Sequence, residues 1–341
     1  METRWQRLDP ERPEADILAA AGDVLRQGGL VAFPTETVYG LGANALDASA
    51  VGRIYAAKGR PAQNPIIVHV ADLAQMARVA ISVPAIVETL AAQFWPGPLT
   101  LVLPKHPLVP DIVTAGGPTI AVRVPNHPVA LGLLQAAGVP VAAPSANRSQ
   151  QLSPTRAEHV WQDLRGRIDL LLDGGPTPGG IESTVLDLTT NPPRLLRPGL
   201  LTGSELEAVV GPVQRSVLVE EAQALPSPGM LKKHYSPRTP LALSTSSDGG
   251  WSQVQRLCQK GGRVGWLSFG PAPRTIAESP AGLHPVPMPD TPTAYAARLY
   301  AVLHDLDKLG LTCIVVEMPP AREDWLAVRD RLQRAASEAT E

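Results

Sequence analysis

Apolar residues follow two alternating spacings along this chain. Short runs bounded by Pro, Gly or polar clusters predict strands: LVAF (Leu30 to Phe33), PLTLVL (98–103), TIAVRVP (119–125), the VAAP run ahead of Ser145, IDLLLDGG and STVLDLT. Between them, helical spacing predicts ASAVGRIYAA, VPAIVETLAAQF with Pro84 in its first turn, and HPVALGLLQAAG closed by Gly138. Ser153-Pro154 is expected to open the helix TRAEHVWQDLRG, which Gly166 ends. Thr202 and Glu205 predict a capping box on a helix ending at Gly211. This alternation says α/β, or α+β with a mixed sheet.

The texture changes at about residue 212. PVQRSVLVEEAQALPSPGMLKKHYSPRTP has no clear period and carries Pro226, Pro228, Pro237 and Pro240, so it reads as a linker. The pattern then restarts with PLALST, a helix near WSQVQRLCQK, the strand RVGWLSF, the helix AYAARLYAVLHDLDKLG, the strand TCIVVEM and a last helix, WLAVRDRLQRA. A total of 341 residues is long for one core. The expected division is 1–212, a linker at 213–239, and a small parallel α/β, Rossmann-like domain at 240–341.

Composition narrows the class. Hydrophobic residues make up 44% and charged ones 18%, as in soluble globular proteins. No run is long enough for a membrane span, and the charged start METRWQRLDPERPEAD has no apolar signal core. Cys258 and Cys313 are too few for a zinc cage or a disulfide framework and read as core residues, so a cytoplasmic protein is expected. The net charge is −2, with 16 basic against 19 acidic residues up to position 212 and 14 against 13 beyond it. No global basic field argues for bulk nucleic-acid binding, so an anion site must be built from a few placed Arg and Lys residues.

No phosphate-loop, Rossmann, nucleophile-elbow or H-E-x-x-H signature occurs, and GLGANA follows no strand directly. Four clusters carry surplus polar chemistry instead. In PTETVYG, a turn needs Pro34 and Gly40 but not Thr35, Glu36 and Thr37 together. In KGRPAQNPIIVHV, Lys58 and Arg60 at a helix C-terminus follow from the helix dipole alone, but Asn64 and His69 nearby favour a site. In AVRVPNHP, Arg123 ends an apolar strand, where a lone charge is costly unless an anion meets it. Pro144-Ser145-Ala146-Asn147 ends another strand, a place where ligands bind in α/β sheets. The fourth, DGGPTPGGIESTVLDL with LLRPG, offers Gly174, Gly175, Gly179 and Gly180 for close approach to a ligand, then Ser183, Thr184 and Arg197.

Taken in order, FPTETVYGLG, KGRPAQNPIIVHV, FWPGPLTLVL, VRVPNHP, PSANRSQQLSPT and GGIESTVLDL with RPG closely resemble the YrdC/YciO-type family of L-threonylcarbamoyladenylate synthases. The resemblance covers about residues 15–212, and SPGMLKKHYSP with the final domain looks like the family's long form. It implies a YrdC-like twisted mixed sheet with flanking helices. It also implies a reaction: L-threonine, bicarbonate or CO2, and ATP give threonylcarbamoyl-AMP and pyrophosphate. The product serves modification of the adenosine next to the anticodon through a downstream transferase complex. Mg2+ is implied with ATP, carried mainly on phosphate oxygens with no protein metal ligands; Glu182 is an outer-sphere candidate.

Carried over by motif, Lys58 and Arg60 would be the catalytic cations. With Asn64 they would hold the ATP phosphates. Ser145, Asn147 and Arg197 would face the nucleotide, with Thr119 and Ser153 as lesser candidates. Tyr235, in the linker, would close over it. Thr35, His69, Arg123 and Ser183 would hold threonine. Thr35 is the leading member, Arg123 is suited to the carboxylate, and Glu36 is left to orient neighbours.

Two other readings compete. A carbamoyl-transfer enzyme of the hydrogenase-maturation type would need zinc-finger modules, which two cysteines exclude. An RNA-binding module built on Lys58, Arg60, Arg123, Arg148 and Arg197 would need stacking aromatics beside its cations. Aromatics are 4% of the chain, and Tyr39 and Tyr55 are the nearest in sequence. Direct tRNA contact and the role of the C-terminal domain stay open at this level.

Overall fold

The computed structural model describes residues 2–61, 63–215, 235–269 and 280–336. The segment 216–234, most of the expected linker and lid, lies outside the described residues. Two compact units divide the chain: Met1–Ser149 with Ser153–Leu231, and Gln150–Leu152 with Lys232–Glu341.

The first unit runs β1 (Arg4–Arg7), α1 (Ala15–Arg26), β2 (Val31–Phe33), β3 (Gly40–Asn44), α2 (Ala48–Lys58), β4 (Val68–His69), α3 (Leu73–Met76), α4 (Ile86–Phe94) and β5 (Leu99–Pro104). It continues with α5 (Asp111–Thr114), β6 (Thr119–Arg123), α6 (Pro128–Ala137), β7 (Val141–Ala142), α7 (Ala157–Leu164), β8 (Leu170–Asp173), β9 (Thr184–Asp187), β10 (Arg194–Arg197), α8 (Gly203–Val210) and β11 (Gln214–Arg215). The strands form one mixed sheet in the order β1-β8-β2-β3-β7-β4-β6-β5-β9-β10-β11.

Strand polarity positions the site. β4 and β6 are parallel, with His69 opposite Arg123 at their C-terminal ends. β5 runs against β6 and parallel to β9, so the residues just before β5 and β9 arrive at that same end. Leu41, Leu101, Val122 and Leu186 belong to the core that carries these strands.

Local signals explain most element ends. Asp47 caps α2 by accepting from the Ser49 and Ala50 amides. That helix ends at Gly59, whose φ of 63° lets the Gly59 and Arg60 amides return to Ala56 and Tyr55 carbonyls. The capping box of Thr202 and Glu205 on α8 is present as expected.

Other expectations need correction. The GLGAN stretch is itself a strand, β3, paired antiparallel with both β2 and β7. Its glycines hide it from a propensity reading, yet a Cβ at Gly42 would sit 2.7 Å from Val141 and 2.9 Å from Phe33. Packing therefore demands glycine where propensity disfavours it. Ser153-Pro154 does not open α7, which starts at Ala157 after Arg156 with no side-chain cap. The Ser153 hydroxyl donates to Glu182 instead, at 2.5 Å.

The second unit contains β12 (Leu241–Ser244), α9 (Ser247–Gln259), β13 (Val264–Phe269), β14 (Leu283–Met288), α10 (Pro292–Asp307), β15 (Cys313–Glu317) and α11 (Leu326–Ala335). Its four strands are all parallel in the order β12-β15-β13-β14. The LHPVPM strand, β14, escapes the sequence reading because of Pro285 and Pro287. It is an edge strand, and both prolines are exposed, where a missing N–H interrupts no ladder.

Candidate active site

The loop between β2 and β3 is the centre of a buried polar network. Thr35 Oγ1 donates to Val38 O at 2.7 Å and accepts from the Thr37 and Val38 amides at 3.1 and 3.2 Å. Its proton is therefore committed, and Thr37 is the donor in the 2.8 Å contact between the two hydroxyls. Arg123 Nη1 donates to Thr37 Oγ1 at 3.0 Å, Nε donates to Gly97 O at 3.2 Å, and Nη2 lies 2.6 Å from Glu36 Oε1.

The site is built from close backbone contacts. Gly179 N donates to Glu36 O at 2.8 Å, and a Cβ there would sit 2.6 Å from that oxygen. A Cβ on Gly174 would meet Pro34 at 3.0 Å. The expected close approach of these two glycines is thus to the 34–36 loop. His69, opposite Arg123 in the ladder, is buried, and its Nδ1 has no hydrogen-bond partner among the described residues. Burial first, then the neighbouring Arg123 charge, pushes its pKa down to about 3, so the imidazole is neutral.

Ser183 precedes β9 and is gripped from two sides. Its hydroxyl lies 2.7 Å from Thr100 Oγ1. Arg197, at the end of β10, donates from Nε to Ser183 O at 3.0 Å and from Nη2 to Ser183 Oγ at 3.1 Å. Gly199 permits this turn, since a Cβ would lie 2.3 Å from Thr184 N and 2.6 Å from Ser183 C.

A second network gathers at the end of α2. Lys58 Nζ donates to the carbonyls of Ser145, at 2.6 Å, and Asn147. Ser145 Oγ donates to Asn147 Oδ1 at 2.5 Å. Lys58 is fully buried, and burial with the nearby Arg60 charge holds its pKa well below the ordinary lysine value. Arg60 Nη2 donates to Pro65 O at 2.9 Å and Nε to Asn64 O at 3.3 Å, while Asn64 Oδ1 is buried without a partner among the described residues. Both cations are thus turned into the fold, away from the solvated role that a helix C-terminus alone would explain.

The β2–β3 loop joins the two networks. Its Thr37 and Glu36 meet Arg123, and beyond them Tyr39 O and Leu41 N bond Ala146 N and Pro144 O, each at 2.8 Å. Thr35, Glu36 and Thr37 are therefore the wiring of a site.

Two family models match the chain. One, described as "Telomere recombination", covers residues 23–199; the other, "Threonylcarbamoyl-AMP synthase, C-terminal domain", covers 201–337. The threonylcarbamoyl-AMP synthase of Pyrococcus abyssi is 42% identical over 333 residues, covering 96% of each chain. That of Bacillus subtilis is 44% identical, over 94% of this chain and 92% of the relative. The crystal structure of P. abyssi Sua5 with L-threonine superposes with a TM-score of 0.89 at 40% identity, covering 98% of both chains.

The chain belongs to the Sua5/YciO/YrdC family.

As a Sua5-type chain it carries the residues named from sequence in three groups. Lys58, Ser145 and Asn147 form one, Ser183 and Arg197 a second, and Arg123 and His69 a third. Thr119 opens β6 at the end opposite Arg123, roughly 13 Å away along an extended strand. Asn64 likewise precedes β4, which His69 closes, so Thr119 and Asn64 lie at the N-terminal ends of these strands and Arg123 and His69 at the C-terminal ends, whereas the nucleotide candidate Arg197 lies with Ser183. Tyr235 belongs to the second unit, where its buried ring lies 5.9 Å from Tyr300 and Arg331 sits 5.3 Å over it.

Thr100 and Gly97 join these contacts without having been singled out, and Thr37, noted in sequence only as part of the surplus polar loop, orients Arg123. The hydroxyl that meets Arg123 is that of Thr37, whereas the residue of this loop named from sequence to hold threonine is Thr35. Thr100 lies inside an apolar strand and Gly97 inside FWPGPLT, so neither carried a local signal.

Proposed function

We propose that this chain is a threonylcarbamoyl-AMP synthase, converting L-threonine, bicarbonate or CO2, and ATP into threonylcarbamoyl-AMP and pyrophosphate. The observation that carries this reading is a likeness along 96% of the chain to such a synthase, supported by the buried polar groups around Arg123, Lys58 and Ser183.

The chemistry asks for positioning and charge neutralisation. The threonine amine, after losing a proton, adds to the carbon of CO2, or of bicarbonate with loss of water, to give a carbamate. A carbamate oxygen then attacks the α-phosphorus as the bond to the β-phosphate oxygen breaks, releasing pyrophosphate. Arg123 would pair the threonine carboxylate, with His69, Ser183 and the Thr35–Thr37 loop around the rest of the amino acid. Neutral His69 adds a polar edge without a competing charge. Lys58, Arg60, Asn64, Ser145, Asn147 and Arg197 would line the nucleotide path, with Thr119, Ser153 and Tyr235 as further contacts. Lys58 donates to carbonyls, and the negative charge of a polyphosphate would offset the burial that holds its pKa down.

Magnesium would enter with ATP, held by phosphate oxygens and water. Among the described residues no three His, Cys, Asp or Glu side chains gather as a metal cluster. Glu182, the outer-sphere candidate, accepts a hydrogen bond from Ser153. Among the described residues no helix is long and apolar enough to cross a membrane. We place the reaction in the cytoplasm, where its product feeds threonylcarbamoyladenosine formation in tRNA through a downstream transferase complex. The same reading assigns catalysis to residues 1–212, with 213–239 and 240–341 as linker and accessory domain.

The test is pyrophosphate release from purified protein with magnesium, ATP, L-threonine and bicarbonate, with the adenylate identified by mass. Product that requires both threonine and bicarbonate supports the reading. Pyrophosphate release indifferent to threonine overturns it.

A further inference from the structure

The Glu36–Arg123 pair carries an assignment that rests on the reading of this site as a threonine pocket. The two side chains are 11% and 4% exposed, and their closest atoms are 2.6 Å apart. The contact has ion-pair distance but not hydrogen-bond alignment: among the described residues neither Glu36 carboxylate oxygen nor Arg123 Nη2 has a hydrogen-bond partner. Such a pair is poorly compensated, because burial of two charges is offset only when their remaining donors and acceptors are also satisfied. Both partners are nonetheless held in place. The Glu36 backbone is fixed by Gly179 N, and Arg123 is anchored by Gly97 O and Thr37 Oγ1.

What completes this pair is a molecule with one carboxylate and one ammonium on adjacent positions. A carboxylate offers acceptors to Arg123 Nη2, and an ammonium offers three donors to the Glu36 oxygens. We propose that Glu36 and Arg123 are a two-charge template for the amino-acid zwitterion. Arg123 takes the carboxylate, and Glu36 takes the ammonium and selects for it. In the free protein each residue neutralises the other; on binding, each exchanges its partner for the complementary charge of the ligand.

The template makes binding coupled. A ligand with only the carboxylate draws Arg123 away and strands Glu36 in a buried site. A ligand with only the ammonium strands Arg123. Only the zwitterion leaves no buried charge unpaired.

Isothermal titration calorimetry on the full-length chain tests this with L-threonine, 3-hydroxybutyrate, which lacks the amine, and L-threoninol, which lacks the carboxylate. Glu36→Gln should weaken L-threonine by at least tenfold and should bind 3-hydroxybutyrate more tightly than the wild type does, because Arg123 no longer has a carboxylate to leave. Arg123→Gln should show the mirror result, gaining affinity for L-threoninol. Parallel weakening of all ligands, or no change in any, overturns the template. Should both variants fail to fold, the wild type decides alone: equal affinity for L-threonine and 3-hydroxybutyrate overturns it, and weak binding of both half-ligands beside tight binding of L-threonine supports it. A wild type that binds no L-threonine overturns the functional reading itself, and the template with it.

Discussion

Lys58 holds Asn147 in place from the last residue of a helix: its ammonium donates to the Asn147 carbonyl and lies 3.4 Å from the Asn147 side-chain oxygen. The Ser145 carbonyl accepts from the same ammonium at 2.6 Å. Lys58→Met should therefore destabilise the free protein, by about 2–4 kcal/mol, since two buried carbonyls lose a charged donor. Thermal unfolding without ligand checks this. Lys58→Arg should not rescue it, because a planar fork cannot replace a compact ammonium among converging carbonyls.

His69 makes stability depend on acid. Its folded-state pKa of about 3 lies below the unfolded value near 6.5, so the unfolded chain takes up the proton first. The contribution of the neutral ring is complete above about pH 6.5 and drains away as pH falls toward 3. Between pH 6.5 and 4 the wild type should lose about 3 kcal/mol more than His69→Gln. Urea unfolding of both proteins at the two pH values measures the difference.

Thr35 and Thr37 should separate stability from binding. Thr35→Val removes a hydroxyl that organises its own loop and should lower stability by about 1–2 kcal/mol. Thr37→Val removes the acceptor that orients Arg123 and should raise the threonine KM about tenfold at a smaller loss of stability. The comparison needs a melting curve and threonine-dependent pyrophosphate release for each variant. Equal effects on both readouts would contradict the division.

Ser183 depends on a partner inside an apolar strand. Thr100→Val keeps the volume but deletes the hydroxyl that meets Ser183 Oγ, and should raise the threonine KM while leaving kcat within about threefold. Arg197→Lys breaks a two-point grip on Ser183 O and Oγ and should raise KM for both threonine and ATP. Steady-state kinetics with each substrate varied tests both variants.

Gly199→Ala probes the turn behind Ser183. A Cβ 2.3 Å from Thr184 N meets backbone rather than a flexible side chain, so the β9 start must move. The expected loss is about 3 kcal/mol, read by urea unfolding, together with a fall in threonine affinity.

Sequence spacing was enough to place α2, α4, α6, α8 and the strands β5, β6 and β9. It also yielded the Thr202–Glu205 capping box and the K-G-R helix end. These features are local: apolar periodicity, a cap and a positive-φ glycine act within one turn or strand of the residue that carries them. The clusters around Thr35, Lys58, Arg123, Ser145 and Ser183 were legible because polar residues at the ends of apolar strands need partners.

Which partners they take was a matter for the sheet. Thr100 and Ser183 are 83 positions apart, and Thr37 and Arg123 are 86. Both pairs meet because β5 lies between β6 and β9 and the β2–β3 loop reaches the end of β6. The Thr37–Arg123 contact, the strand made of GLGAN and the neutral state of His69 all depend on such neighbours. A buried donor bonds whichever acceptor the register sets within about 3 Å, and register is a property of the packed sheet rather than of any one segment.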